Sequence, residues 1–190
     1  MEQMVAPVEH FSGTMMDVMG VGVLIEGAPG IGKSEAALGL IEKGFSLVSD
    51  DVTLIHRDAH AQLLCTSSEL TRYHMEIRGL GIIHVPSIFG MASVSLEKRL
   101  DMIVFLYPPD PSKEGDRSGL SKNTRKILDV EVPLVELPVA PGRDMAGVIE
   151  VAAMNQKLSY LGHEAAKEFD QHLIRTLQKK RLMNAVHSKS

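Results

Sequence analysis

The chain has 190 residues, 44% apolar and 23% charged, with a formal net charge of -4, values of an ordinary folded domain and not of a disordered chain. The negative balance gives no general basic surface for a phosphate backbone, so nucleic acid is excluded as a default partner; the cluster Lys179, Lys180 and Arg181 reads instead as cations at a helix C-terminus. The lone Cys65 excludes an internal disulfide framework and reads as a small core residue. No stretch is long enough to span a bilayer and no leader pattern opens the chain, so no membrane partner is expected and the cytoplasm is the expected compartment.

Residues 1–11 carry no clear pattern and read as a linker or flexible start; one domain is expected over 12–184, with a tail at 185–190. Two short apolar runs, 14–18 and 21–26, flank Met19-Gly20 and predict adjoining strands around a tight turn. The second run leads into a glycine-rich loop. Ala36, Ala37, Leu38, Leu40 and Ile41 then predict a helix that Gly44 ends, and 45–49 reads as a strand. Strand, loop, helix and strand in this order make a βαβ-type beginning, with a sheet covered by helices. Further strands are expected at 52–56, 62–65, 75–78, 82–85, 100–106 and 132–139, and a loop at 108–119. A helix is expected over 145–160, stopped near Gly162. Ala166, Phe169, Leu173 and Leu177 mark a final amphipathic helix. His56 and His60 stand four apart, but the polar turn between them and the lack of a cysteine or second pair argue against zinc.

The loop Gly27-Ala28-Pro29-Gly30-Ile31-Gly32-Lys33-Ser34 has the spacing of a phosphate-binding loop, and it stands between a strand and a helix, the context that gives the motif meaning. Glycines let the backbone turn tightly and bring N–H groups to phosphate oxygens, and the helix adds the positive end of its dipole. Lys33 suits the β and γ phosphates and the Ser34 hydroxyl suits magnesium; Pro29 contributes no N–H. Asp50-Asp51, at the end of the next strand, can divide two tasks: one carboxylate faces the metal, and its neighbour takes the proton of an acceptor hydroxyl. Without further information Arg117 could be a solvated loop charge, and Glu76 could pair with Arg78 across solvent.

From Gly13 to about Gln178 the chain resembles the HPr kinase/phosphorylase family. The most specific likeness is the uncommon run Glu76-Ile77-Arg78-Gly79-Leu80-Gly81-Ile82-Ile83. Also similar are Gly30 to Glu35, the Asp50-Asp51 pair, Asp116-Arg117 followed by Gly119, Pro138 to Arg143, and Glu150-Val151-Ala152-Ala153-Met154-Asn155. The resemblance implies an α/β, P-loop kinase-like domain with a mixed, strand-rich sheet flanked by helices and a helical C-terminus. It implies an ATP- and Mg2+-dependent enzyme that phosphorylates a serine of the phosphocarrier HPr and reverses this by phosphorolysis, with phosphate entering and pyrophosphate leaving. It further implies that Asp51 is the base, that Lys33 and Arg117 are catalytic cations, that Ser34 and Glu76, with Asp50 beside them, hold magnesium, and that Arg143 suits the incoming phosphate. A homo-oligomer, a hexamer, is implied as well.

The chain departs from the family at Ser12, where a histidine is usual before glycine, at Ala28-Pro29, usually an acidic residue and serine, and at His84, commonly asparagine. Two other expectations stay open: a related kinase of another protein or small-molecule hydroxyl that has lost phosphorolysis, and a non-catalytic module that senses ATP.

Overall fold

Residues 21–26 are buried without a break, so the strand they form needs cover on both faces. In a computed structural model, which describes residues 8–109, 123–162, 168 and 174–175, that strand lies inside a six-stranded sheet. The elements are β1 (Val8–Ser12), β2 (Thr14–Val18), β3 (Val21–Gly27), α1 (Lys33–Glu42), β4 (Ser46–Ser49), β5 (Val52–Arg57), β6 (Leu63–Thr66), β7 (His74–Ile77) and β8 (Gly81–His84). There follow α2 (Val85–Phe89), a 3-10 turn at Met91–Ser93, β9 (Glu97–Arg99), β10 (Met102–Tyr107), β11 (Asn123–Ile127), β12 (Val130–Pro138) and α3 (Met145–Tyr160).

The six-stranded sheet has the order β11-β12-β10-β3-β2-β4. β10 is parallel to β3 and to β12; the other pairings are antiparallel. β3 and β4 point the same way, as a βαβ beginning requires, but they are not neighbours. β2, antiparallel to both, lies between them. The reason is local: Met19 and Gly20 both take positive φ, 56° and 87°, the backbone of a tight hairpin turn, which pairs β2 with β3 before the chain reaches β4.

One face of this sheet packs on α1 and α3 through Ala36, Ala37, Leu40, Ile41, Ala146, Ile149 and Ala153. The helices approach closely because the contact is small: a Cβ on Gly39 would lie 2.8 Å from that of Ala146. The other face carries Met15, Leu24 and Ile103 onto a second, antiparallel sheet of order β1-β5-β6-β9, which contributes Ile55, Leu63 and Cys65. Among the described residues, helices therefore flank one face and a sheet covers the other.

Residues 8–11, read as part of a linker, instead form β1 with Ser12, paired from Val8↔His56 to Ser12↔Val52. β1, β9 and β11, the strands absent from the sequence reading, are all edge strands. Their side chains are mostly exposed, so no apolar alternation marks them. The helix expected from Ala166 to Leu177 and the cluster at Lys179 lie outside the described residues, apart from isolated positions, and so does most of the 108–119 loop. Among the described residues no helix is long and apolar enough to cross a membrane.

Cys65 is fully buried in the core between the sheets. Burial, with the nearby negative charges of Asp101 and Glu97, pushes its thiol up to about 12. Because the thiolate is the reactive form, the native chain should be inert to a thiol-reactive disulfide reagent at pH 8 and should release one equivalent only after unfolding in denaturant. Rapid reaction of the native chain would show that this core opens readily.

Candidate active site

β3, β10 and β12 run parallel and β4 shares their direction, so their carboxyl ends meet at one edge of the sheet, where open α/β sheets place their ligands. At that edge β3 ends on Gly27, with φ 147°. A Cβ there would lie 2.6 Å from the Leu106 carbonyl oxygen on β10, so the close passage of the two strands admits only glycine. The chain turns through Gly30 (φ 78°) and Gly32 (φ 110°) into α1, whose first residue is Lys33. The unpaired N–H groups of α1 thus face the loop.

Lys33 is only 9% exposed, and its Nζ donates to the carbonyls of Gly27 (3.1 Å) and Ala28 (3.4 Å). The loop holds a cation with carbonyls as its hydrogen-bond partners, an arrangement suited to receiving an anion.

Asp50 and Asp51 divide as chain geometry requires. Asp50 is buried, 7% exposed. Its carboxylate accepts from Thr14 Oγ1 at 2.7 Å, from Ser34 Oγ at 3.1 and 3.3 Å, and from the Glu76 backbone N–H at 3.1 Å. One side chain thereby joins β2, the start of α1 and β7. Asp51 is exposed and takes φ 63°, a left-handed conformation that Asp tolerates better than most residues at a cost of about 1 kcal/mol. The Val52 N–H donates to the Asp50 carbonyl at 2.7 Å, closing a tight turn around Asp51. Outside the turn, the Gly13 N–H donates to the Asp51 carbonyl at 2.8 Å, and Thr53 Oγ1 donates to the Gly13 carbonyl at 3.0 Å. Ser12-Gly13 is therefore fastened directly beside Asp51.

The β7–β8 hairpin forms the opposite wall. Lys33, Ser34, Asp50, Asp51, Glu76 and Arg78 all line one cleft of about 600 Å³. Glu76 and Arg78 are exposed, and among the described residues no ion pair joins them, contrary to the pairing their spacing allowed. Arg78 instead leans over the phosphate loop: a Cβ on Gly30 would lie 2.6 Å from one of its guanidinium nitrogens. Sequence reasoning named Arg78 only as a possible partner of Glu76, and Thr14 only within a strand. The contact of Arg78 depends on the missing side chain of Gly30, and that of Thr14 on strand order.

The Ser34 hydroxyl, the Asp50 carboxylate and the Glu76 carboxylate on the facing wall are hard oxygen donors of the kind Mg2+ prefers. Among the described residues no three His, Cys, Asp or Glu side chains converge on a metal position. Arg143 stands apart. It is exposed on the connection from β12 to α3, with Nη1 donating to the Pro138 carbonyl at 3.0 Å, and it does not line the cleft. Arg117 lies outside the described residues.

A mixed sheet with a glycine loop at its carboxyl edge, a buried lysine and a carboxylate bonded to the loop serine defines a P-loop, nucleotide-phosphate-binding domain. The sequence matches the HPr Serine kinase C-terminal domain over residues 3–173, and the chain belongs to that family. It is 47% identical over 165 residues to the HPr kinase/phosphorylase of Chloroherpeton thalassium, covering 87% of this chain and 48% of the relative. It is 43% identical over 186 residues to that of Geobacter sulfurreducens, covering 98% and 58%. The chain thus spans about half the length of these curated relatives. The solved structure of the Hpr(Ser) kinase/phosphatase from Coxiella burnetii aligns with a TM-score of 0.76 at 30% identity, over 85% of this chain and 98% of that one.

Proposed function

We propose that the cleft transfers the γ-phosphoryl group of ATP to a serine hydroxyl of HPr, in the cytoplasm. The observation that carries this reading is the meeting of the Glu76-to-Ile83 hairpin with Asp51, Lys33 and Ser34 around one cleft, since a loop that only binds nucleotide needs no second wall. Family membership, and the names of the relatives, support HPr as the acceptor.

In this reading the acceptor serine approaches from the solvent side, where Asp51 is exposed. Asp51 takes the serine proton as the serine oxygen attacks the γ-phosphorus; the bond to the β-phosphate oxygen breaks and ADP leaves. Lys33 exchanges its loop carbonyls for phosphate oxygens, and Arg78 and Arg117 add positive charge. Ser34, Asp50 and Glu76 would hold Mg2+, which would supply positive charge against the phosphate oxygens. In reverse, a phosphate oxygen attacks phosphoserine, Asp51 returns the proton to the serine oxygen, and pyrophosphate forms; Arg143 draws in the phosphate. A homo-hexamer accompanies this reading by family resemblance.

One feature favours a second reading for the reverse reaction alone. Ser12, in the place where the family usually has a histidine, is bound through Gly13 to Asp51, and a hydroxyl cannot carry a proton near neutral pH as imidazole does. Pyrophosphate release from serine-phosphorylated HPr on addition of phosphate tests this: release at a rate comparable to the forward reaction supports two-way chemistry, and its absence beside an active forward reaction leaves a kinase alone.

A further inference from the structure

β7 and β8 pair antiparallel with His74 directly opposite His84. The two rings lie 5.0 Å apart, centroid to centroid, tilted by 50°. Both residues are exposed. On a strand, alternate residues share a face, so His74, Glu76, Ile82 and His84 stand on one face of the hairpin, while Met75 on the other is 1% exposed and packs in the core.

The hydrogen bonds of the rings decide what this pair can do. His74 Nδ1 lies 2.8 Å from the Arg72 carbonyl oxygen. A carbonyl only accepts, so Nδ1 carries the hydrogen and the lone pair of the neutral ring is left on Nε2. His84 Nδ1 lies 2.6 Å from Ser87 Oγ; when the hydroxyl accepts from Nδ1, the lone pair of this ring too is on Nε2. A ring whose one nitrogen is tied to a carbonyl or hydroxyl is oriented as metal-binding histidines are, with the other nitrogen left to ligate.

We propose that His74 and His84 form a two-histidine site for a late first-row divalent cation such as Zn2+, separate from the oxygen-lined magnesium position in the cleft. Imidazole nitrogens suit zinc, copper and nickel, and hard oxygens suit magnesium, so the two sites select different ions. Water completes the coordination, since among the described residues no third His, Cys, Asp or Glu joins the pair. An ion here ties β7 to β8 at the base of the hairpin whose tip carries Arg78 over the phosphate loop, and so braces that wall of the cleft.

The test is calorimetric titration of ZnCl2 into the untagged full chain without nucleotide, in buffer containing millimolar Mg2+. One tight equivalent is expected, with His74→Asn and His84→Asn each weakening it by about tenfold or more, the lower range seen when even an outer partner of a metal ligand is lost. His56→Asn, on a different strand, should leave it unchanged. Because both ligands are exposed, the variants should melt as the parent does. No zinc binding, binding that survives either substitution, or binding displaced by Mg2+ would overturn the proposal. None of these readouts involves HPr or phosphoryl transfer, so failure of the proposed kinase activity leaves the test intact.

Discussion

Asp51→Asn is expected to lower the rate of phosphoryl transfer by about 10²- to 10⁴-fold, the usual contribution of a positioned general base, with little change in nucleotide affinity. The substitution is clean for a structural reason. Asp51 sits at φ 63°, and asparagine enters the left-handed region as readily as aspartate, so the turn closed by the Val52 N–H should persist. The backbone bond from Gly13 to the Asp51 carbonyl does not depend on the side chain. The variant therefore keeps the cradle and loses only the proton acceptor. Single-turnover transfer and equilibrium nucleotide binding, measured side by side, check this; transfer at the parent rate removes Asp51 from the role of base.

Lys33→Ala should act on both quantities. It removes the buried cation aimed at the phosphates, and a loss of about 10²-fold or more in kcat/KM is expected, as when a charge-stabilising donor is deleted elsewhere. The fold should not suffer with it. Lys33 is 9% exposed and its Nζ bonds to the carbonyls of Gly27 and Ala28, so its removal relieves a desolvated charge, and alanine suits a helix. Thermal melting without nucleotide should stay near that of the parent, while the stabilisation given by added nucleotide disappears. A large drop in melting temperature without nucleotide would mean that the lysine serves the fold.

Much of this site could be read before any coordinates. The spacing from Gly27 to Ser34 and the adjacent strand and helix patterns place the loop, and β2, β3 and α3 fall within a residue of the expected ranges. These are segments whose periodicity is imposed by burial, on both faces for β3 and on one face for α1. The sequence reading fails where burial imposes nothing. β1, β9 and β11 lie at sheet edges and keep exposed side chains. The order of strands is a second blind spot: β2 inserts between β3 and β4 because of a hairpin turn, and the bond from Thr14 to Asp50 follows from that insertion. The pairing of His74 with His84 likewise depends on register, which no local pattern of the hairpin announces. The division between Asp50 and Asp51 was expected in kind; burial and backbone conformation show which is held inward.

The most direct test of the central claim is incubation of the chain with ATP labelled in the γ position, Mg2+ and purified HPr, followed by phosphoamino-acid analysis of HPr. Label on a serine of HPr, strongly reduced in Asp51→Asn, is the predicted result. Nucleotide binding with no label on HPr, or label undiminished by that substitution, would contradict it.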